Sequence, residues 1–416
     1  MNPRRGKNRS EVLAPFAVRS FRFQFPADLL TSWAGEMEIL ILGWYILTET
    51  GSVLLLTVYG SLQYGGTLIA PLFGSAGDRI GHRTVLCAMR VMYAALAAVM
   101  TVLAVLNALN PLAVMLIASV VGLIRPSDLG MRNALVAETM PGDRLMAAMG
   151  LARTTGDSAR IVGALAGAGL VALLGMAPAY IVITLLYGTG FALTLGVGAP
   201  RPSRTVVRIP FWNDLRDGLV YVWNSPASLA AMWLAFLVNL TAFPLTLGLL
   251  PYVAKEIYHV EQTGLGSLVA SFAFGALAGS MAIGFAGSSI RPARMMLVFT
   301  GAWYAMLLMF VHVPGILGGR ISLVLAGFAQ SLCMTPMAVM LLHSAGAKFR
   351  GRVMGVRMLA IYGLPLGLLA AGGLIERFGF AAIATAYCVV GLLLTVVIAL
   401  RWRAALWPLD APANAR

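Results

Sequence analysis

The chain has little charge for its length: 11% of its 416 residues are Asp, Glu, Lys or Arg, while 59% are hydrophobic. Soluble domains carry roughly 25% charged residues, so a single core wrapped in a charged, solvated surface is excluded. Cysteine is equally scarce. Cys87, Cys333 and Cys388 stand in separate apolar runs without CxxC or metal-ligand spacing, which excludes a disulfide framework and reads as small core residues; no metal is assigned. There is no G-x-x-x-x-G-K-[ST] phosphate loop and no polar stretch long enough to fold into a domain around one, so ATP hydrolysis within the chain is excluded. No Ser/His/Asp or Cys/His set has plausible facing positions, so an enzyme is not expected and no cofactor is assigned. Acids are the scarcer sign, 16 against 30 bases, for a net charge of +14. In a soluble chain that excess suggests nucleic acid, but here the bases sit in short connections between apolar runs, as the positive-inside rule requires. Nucleic acid is rejected as a partner and the lipid bilayer takes its place.

What is present is a series of twelve apolar runs, near 21–47, 53–75, 84–107, 111–135, 146–175, 178–198, 228–252, 263–286, 293–312, 317–342, 353–375 and 380–402. Each supplies the ~20 residues that a spanning helix needs. The expected fold is an all-α membrane protein of twelve transmembrane helices. Arg79 and Arg83, Arg144, the Arg201–Arg216 segment, Arg291 and Arg294, and Lys348–Arg352 fall in alternate connections, which places both termini in the cytoplasm. The N-terminal bases Arg4, Arg5, Lys7 and Arg9 precede no short apolar segment with a small-residue cleavage site, so no leader is expected to be removed.

The longest connection, Ala199 to Ser228, contains FWNDLRDGLVYVW, where Phe211, Leu215, Leu219 and Val222 recur at helical spacing; it reads as an amphipathic helix on the inner membrane surface. It divides the chain into a tail 1–20, a six-helix bundle 21–198, a linker 199–227, a second six-helix bundle 228–402 and a tail 403–416. The halves echo each other: Gly74-Ser75-Ala76-Gly77-Asp78-Arg79-Ile80 returns as Gly284-Phe285-Ala286-Gly287-Ser288-Ser289-Ile290, and Arg144-Leu145-Met146 as Arg352-Val353-Met354. Two parallel repeats of this kind are the signature of transporters whose substrate site lies between the repeats near the bilayer midplane.

The stretch Gly74 to Leu86, GSAGDRIGHRTVL, reads as a membrane hairpin with a charged latch. Gly74 and Gly77 lack a Cβ and allow close helix approach, and Gly81 can take the positive φ of a tight turn. Asp78 is suited to a helix N-terminus or an arginine. Gly74, Asp78, Arg79, Gly81, Arg83 and Leu86 follow G-x-x-x-D-R-x-G-x-R-x-x-L, which resembles the loop signature of the major facilitator superfamily of transporters; His82 stands in place of the usual base. The run Arg132–Gly167, LRDGLVYVW, LLPYVAKEIY from Leu249, FRGRVMGVR, GLPLG and GGLIERFG resemble its enterobactin-exporter and macrolide-efflux branch. The resemblance implies the two-repeat major facilitator fold and export of siderophores, drugs or other amphipathic compounds, with lysophospholipids handled by some members. Gly163-Ala164 departs from the Gly-Pro pair common in antiporters of that superfamily.

Ionised groups inside the apolar slab cost a few kcal/mol or more and are seldom kept without a role. At ~1.5 Å per residue from Pro26, Glu36 lies about 15 Å into the first span, near the midplane, with Asp28 nearer the cytoplasm and Glu38 nearer the outside. A carboxyl at that depth is switched between charged and neutral forms by burial and by neighbouring arginines, so Glu36 is the first choice for proton coupling, followed by Asp28 and Glu38. Arg125 and Arg160, with Asp157 beside them, are the expected substrate contacts, their planar donors suited to an anionic or zwitterionic cargo. The competing reading pairs Arg125 with Asp128 and Asp157 with Arg160 as internal i, i+3 bridges.

Trp303 and Tyr304 are equally suited to a substrate and to packing, while Gly163-x-x-x-Gly167 and Gly275-x-x-x-Gly279 read as close helix contacts. The whole describes a monomeric secondary transporter of the bacterial cytoplasmic membrane. It would export a small organic molecule, a siderophore before a hydrophobic drug, by alternating access in exchange for protons. A lysophospholipid mover and a non-transporting receptor or scaffold are the alternatives.

Overall fold

Apolar runs bounded by Pro, Gly and Asn become helices, since only helices satisfy every backbone group within one segment in lipid. In the computed structural model, which describes residues 13–198, 211–286 and 291–407, the long elements are α1 (Arg19–Thr50), α2 (Val53–Leu62), α3 (Ala70–Ile80), α4 (His82–Val105), α5 (Pro111–Thr139), α6 (Gly142–Leu174) and α7 (Met176–Leu195). They continue as α8 (Phe211–Asn224), α9 (Pro226–Thr241), α10 (Gln262–Ala286), α11 (Pro292–His312), α12 (Ile316–Ser344), α13 (Gly346–Leu359), α14 (Gly363–Phe378) and α15 (Phe380–Arg401). Among the described residues ten helices are long and apolar enough to cross a membrane, or eleven when α2 and α3, bent by 42° to each other, are counted as one span. The twelfth place belongs to α1, whose 32 residues are ample but whose apolar character is diluted by Asp28, Glu36 and Glu38. The protein is thus an all-helical, multi-pass membrane protein.

The helix ends follow local chemistry. Asn110 caps α5 by accepting from the Ala113 N–H at 2.9 Å, and Pro111 takes the first helical position, where its missing N–H costs nothing. Gly81 turns the chain between α3 and α4 with φ 93°, the conformation for which glycine was expected there. Beyond α9, Pro244 and Pro251 interrupt the regular ladder, and two π turns, Pro244–Gly248 and Val253–Ile257, carry the chain onward.

The chain divides into two units, one formed by Met1–Leu42 with Leu68–Val206 and the other by Gly43–Thr67 with Val207–Arg416. In the first, α1 lies against α6 and α7 through glycines: a methyl group on Gly163 would stand 2.9 Å from Glu36 Cβ and 3.1 Å from the Trp33 carbonyl, and one on Gly167 3.0 Å from Met37 Cα. In the second, a Cβ on Gly279 would stand 2.7 Å from the Phe328 carbonyl, and one on Gly275 would overlap that of Val324, so α10 and α12 touch backbone to backbone. Both predicted glycine pairs therefore mark close crossings. Also in the second unit, Glu376 of α14 accepts from the Ser52 hydroxyl at 3.0 Å and from the Leu54 N–H at 3.4 Å, which ties it to the start of α2.

The linker helix departs from its expected setting. Val222 is buried and Leu215 packs on the same core, Gly218 meets the Arg352 backbone of α13, and the Tyr221 ring stacks on Phe349 at 4.8 Å. Half of the apolar stripe assigned to the membrane surface is consequently used on α13, and Leu219, Val220 and Trp223 are left exposed. The glycine explains the difference, because it lets the two helix backbones close. Residues 199–210, and the 287–290 part of the second hairpin echo, lie outside the described residues.

Candidate functional site

The three acids on α1 meet three different surroundings. Asp28 is buried and ion-paired with Arg90 of α4, and Arg132 Nε of α5 stands 3.7 Å from the same carboxylate oxygen. Arg132 also donates to the Asp28 carbonyl at 3.1 Å and to the Ser32 hydroxyl at 2.6 Å, and it pairs with Asp128 one turn back on its own helix. Arg90 donates to the Thr194 hydroxyl and, at 3.3 Å, to the Gly190 carbonyl of α7. Two acids and two bases thus cancel in a buried quartet that joins α1, α4, α5 and α7. Such a group costs desolvation to assemble but costs more to break one partner at a time.

Glu38, nearly three turns further on, is also committed. Arg125 Nη2 of α5 lies 2.9 Å from its Oε2, and the Tyr187 hydroxyl of α7 donates to the same oxygen at 3.1 Å. The Tyr187 ring sits 5.5 Å from that of Tyr93 on α4, which closes this site on another side. Gly35 faces the pair at ordinary contact distance: a Cβ there would lie 3.5 Å from the Tyr187 hydroxyl and 3.7 Å from Arg125 Nη2.

Glu36 differs from both. It is half-buried at the α1–α6 crossing, and among the described residues no hydrogen bond or ion pair reaches its carboxylate. Beside it the Trp33 indole donates to Ser158 of α6 at 3.4 Å. With no proline among its 33 residues, α6 runs unbroken through this crossing. On α6 itself Asp157 is half-buried and Arg160 exposed, and no ion pair joins them; Arg153, a turn below Asp157, is exposed as well.

Both local i, i+3 bridges weighed from the sequence are therefore absent. Arg125 turns to Glu38 on α1, and Asp128 to Arg132 at i+4 on its own helix. Arg125, expected to contact substrate, is held by Glu38, although its side chain keeps 22% of its surface exposed against 4% for its partner.

The hairpin residues are distributed differently from the pattern expected of a latch. Asp78 is exposed, and among the described residues its ion-pair contact is with the His82 imidazole at 3.7 Å and with no arginine. His82 Nδ1 meets Glu138 of α5 at 2.6 Å, so the residue that replaces the usual base carries the link across the hairpin. Arg83 donates to the Thr194 carbonyl at 3.4 Å and to that of Leu195, at the C-terminal end of α7. Gly77, not Gly74, supplies the close approach: a Cβ on Gly77 would lie 2.6 Å from the His82 ring, while nothing lies within 4 Å of one on Gly74. Arg79 is exposed.

In the second unit Trp303 and Tyr304 are fully buried, the first edge-on to Phe243 at 5.0 Å and the second hydrogen-bonded to Thr241 at 2.7 Å, which makes them packing residues. Sequence reasoning missed Arg90, Arg132 and Tyr187. Arg90 had the plainest signal, a cation in the middle of an apolar run with no acid of its own helix near it. Tyr187 had none, since a tyrosine among Leu and Gly is ordinary packing until its partner is known.

Comparison with known proteins agrees with this architecture. The chain is 26% identical over 390 residues to the multidrug efflux pump Tap of Mycolicibacterium fortuitum, covering 88% of this chain and 92% of that protein. Its fold matches the crystal structure of the nucleoside transporter NupG with a TM-score of 0.69 at 15% identity, over 92% of this chain and 98% of that one. A bacterial homologue of the human lysosomal transporter Spinster, in an inward-facing and unoccupied conformation, matches with a TM-score of 0.72 at 12% identity, over 95% and 99%. The human organic anion transporter MFSD10 (TETRAN) matches at 0.61 and 18% identity, over 91% and 99%. At these identities the structures speak for the fold alone. The family profile of the Major Facilitator Superfamily matches residues 29–261 and 232–415, and the chain belongs to that superfamily of membrane transporters.

Proposed function

We propose that the protein exports a small amphipathic organic molecule, a drug-like compound or a siderophore, across the bacterial cytoplasmic membrane by alternating access in exchange for protons, with both termini cytoplasmic. One observation carries the coupling: of three acids on α1, Asp28 and Glu38 are each held by arginine, while Glu36 holds no cation among the described residues. A carboxylate already neutralised by a guanidinium has little to gain from a proton or from a substrate. One without such a partner can take either, and the competition between them is what exchange requires.

Glu36 is accordingly assigned the proton, and Asp28, Glu38 and Arg125 hold α1 in register with α4, α5 and α7. Arg160 and Asp157 are assigned to substrate. The 26% identity to an efflux pump supports export of a drug-like cargo. The power is a proton gradient, since the chain lacks a phosphate loop. The test is proton movement by purified protein in liposomes under an imposed pH gradient, with siderophores and drugs added, for the native chain and Glu36→Gln. Substrate-driven proton flux in the native protein that disappears in the variant supports the reading. Equal flux in both removes Glu36 from the coupling role, and a labelled lysophospholipid crossing without protons replaces the exporter with a lipid mover.

A further inference from the structure

The α6 helix carries a feature that coupling through Glu36 does not use. Arg153, Asp157 and Arg160 follow at i, i+4 and i+7, a strip about 10 Å long and within about 60° of arc, its charges alternating base, acid, base. Arg153 and Arg160 are exposed and Asp157 is half-buried, and among the described residues none of the three is ion-paired or hydrogen-bonded through its side chain. Unpaired charges on a spanning helix do not face hydrocarbon; they face water or a ligand. Level with the strip and just beyond it, the exposed apolar side chains Val162 and Leu165 lie about 140° and 80° around the helix from Asp157, whereas Met146, two turns before Arg153, is exposed on the strip's own face.

Two further observations extend the strip onto α1. The Cβ of Glu36 meets α6 at Gly163, one turn beyond Arg160, so a second unpaired acid borders the same surface. The partly exposed Trp33, one turn before Glu36 on α1, is tied through its indole to Ser158 of α6 at 3.4 Å. Two carboxylates and two guanidiniums, with an aromatic on the adjoining helix, match a ligand that carries both signs on an apolar frame.

We infer that this strip recognises a zwitterionic amphiphile, with the cationic group of the ligand on Asp157 and Glu36 and its anionic group on Arg160 and Arg153. This rests on the exporter reading and names its substrate class. It also adds Arg153 as a specificity-determining residue. The chemistry explains why neither sign of simple ion suffices: a purely anionic ligand leaves Asp157 opposed to it, and a purely cationic one meets the two guanidiniums.

The test is equilibrium binding to purified protein in detergent, without any gradient, of labelled ciprofloxacin as the zwitterion, its methyl ester as the cation and its N-acetyl form as the anion. The native protein is expected to bind the zwitterion at least about tenfold more tightly than either, the size of one charge-assisted hydrogen bond. Asp157→Asn should weaken the zwitterion and the ester and spare the anion, with recovery in Asp157→Glu. Arg153→Gln and Arg160→Gln should weaken the zwitterion and the anion and spare the ester. Equal affinity for all three forms, equal weakening of all three in every variant, or no binding of any probe would overturn the proposal. Lysophosphatidylethanolamine is run beside them. If it alone shows the same dependence on Asp157 and the arginines, the class stands and its source is a lipid headgroup. The charge pattern in binding without proton exchange in liposomes would leave the strip standing and remove the exporter, and exchange without the charge pattern would do the reverse.

Discussion

Arg125 and Glu38 lie 2.9 Å apart with Tyr187 donating to the same carboxylate, and two residues earlier on α1 Glu36 holds no such partner among the described residues. An i, i+2 step rotates a helical side chain by about 200°, so neighbouring acids in sequence face opposite sides of α1. One side is the packed interior of the first unit, the other the crossing with α6. The division of labour between locked and available acids comes from that geometry.

Removing a partner from the locked set should harm the fold before it harms transport. Arg90→Ala leaves Asp28 buried with its closest cation gone, and the expected loss is about 3–5 kcal/mol of stability. The midpoint of thermal unfolding in detergent should fall sharply. Replacing both by apolar residues, Arg90→Met with Asp28→Leu, should recover part of it. A single variant as stable as the native protein would show that the quartet carries no structural weight.

Backbone contact between α10 and α12 gives an independent check on the second unit. Gly275→Leu has to push aside the Val324 carbonyl and should cost about 1–3 kcal/mol, whereas Gly284→Ala, with nothing among the described residues within 4 Å of the added carbon, should be nearly neutral. Unfolding midpoints of the two variants measured side by side decide the matter.

Glu376 meets the first turn of α2 as an external cap. Glu376→Ala should remove roughly 1 kcal/mol of local stability, the usual size of a lost cap, and speed amide hydrogen exchange over 53–62 without altering exchange in α4 or α5. Uniform acceleration across the chain would mean the residue supports the whole fold instead.

The spans and the glycine crossings were legible in the sequence because both are local: ~20 apolar residues or a four-residue glycine spacing define them without reference to the rest of the chain. The partners of the acids were not. Asp28 meets a residue 62 positions away and Glu38 one 87 positions away, whereas the bridges weighed from sequence were three positions long. The hairpin was legible in part. Its turn at Gly81 followed from residue type, but the contact through His82 to Glu138 depends on where α5 passes. The linker helix was legible as a helix with an apolar stripe, and what the stripe covers was not, since protein and lipid surfaces ask for the same residues.

The most direct test of the central claim is proton release on binding. The purified protein in weakly buffered detergent is mixed with the compound that drives exchange in liposomes, and the pH change is followed for the native chain, Glu36→Gln and Glu38→Gln at matched saturation. If the proton and the substrate compete for Glu36, the native protein and Glu38→Gln release protons and Glu36→Gln binds without releasing any. Undiminished release from Glu36→Gln, or its loss from Glu38→Gln alone, would contradict the assignment and place the proton on the acid held by Arg125.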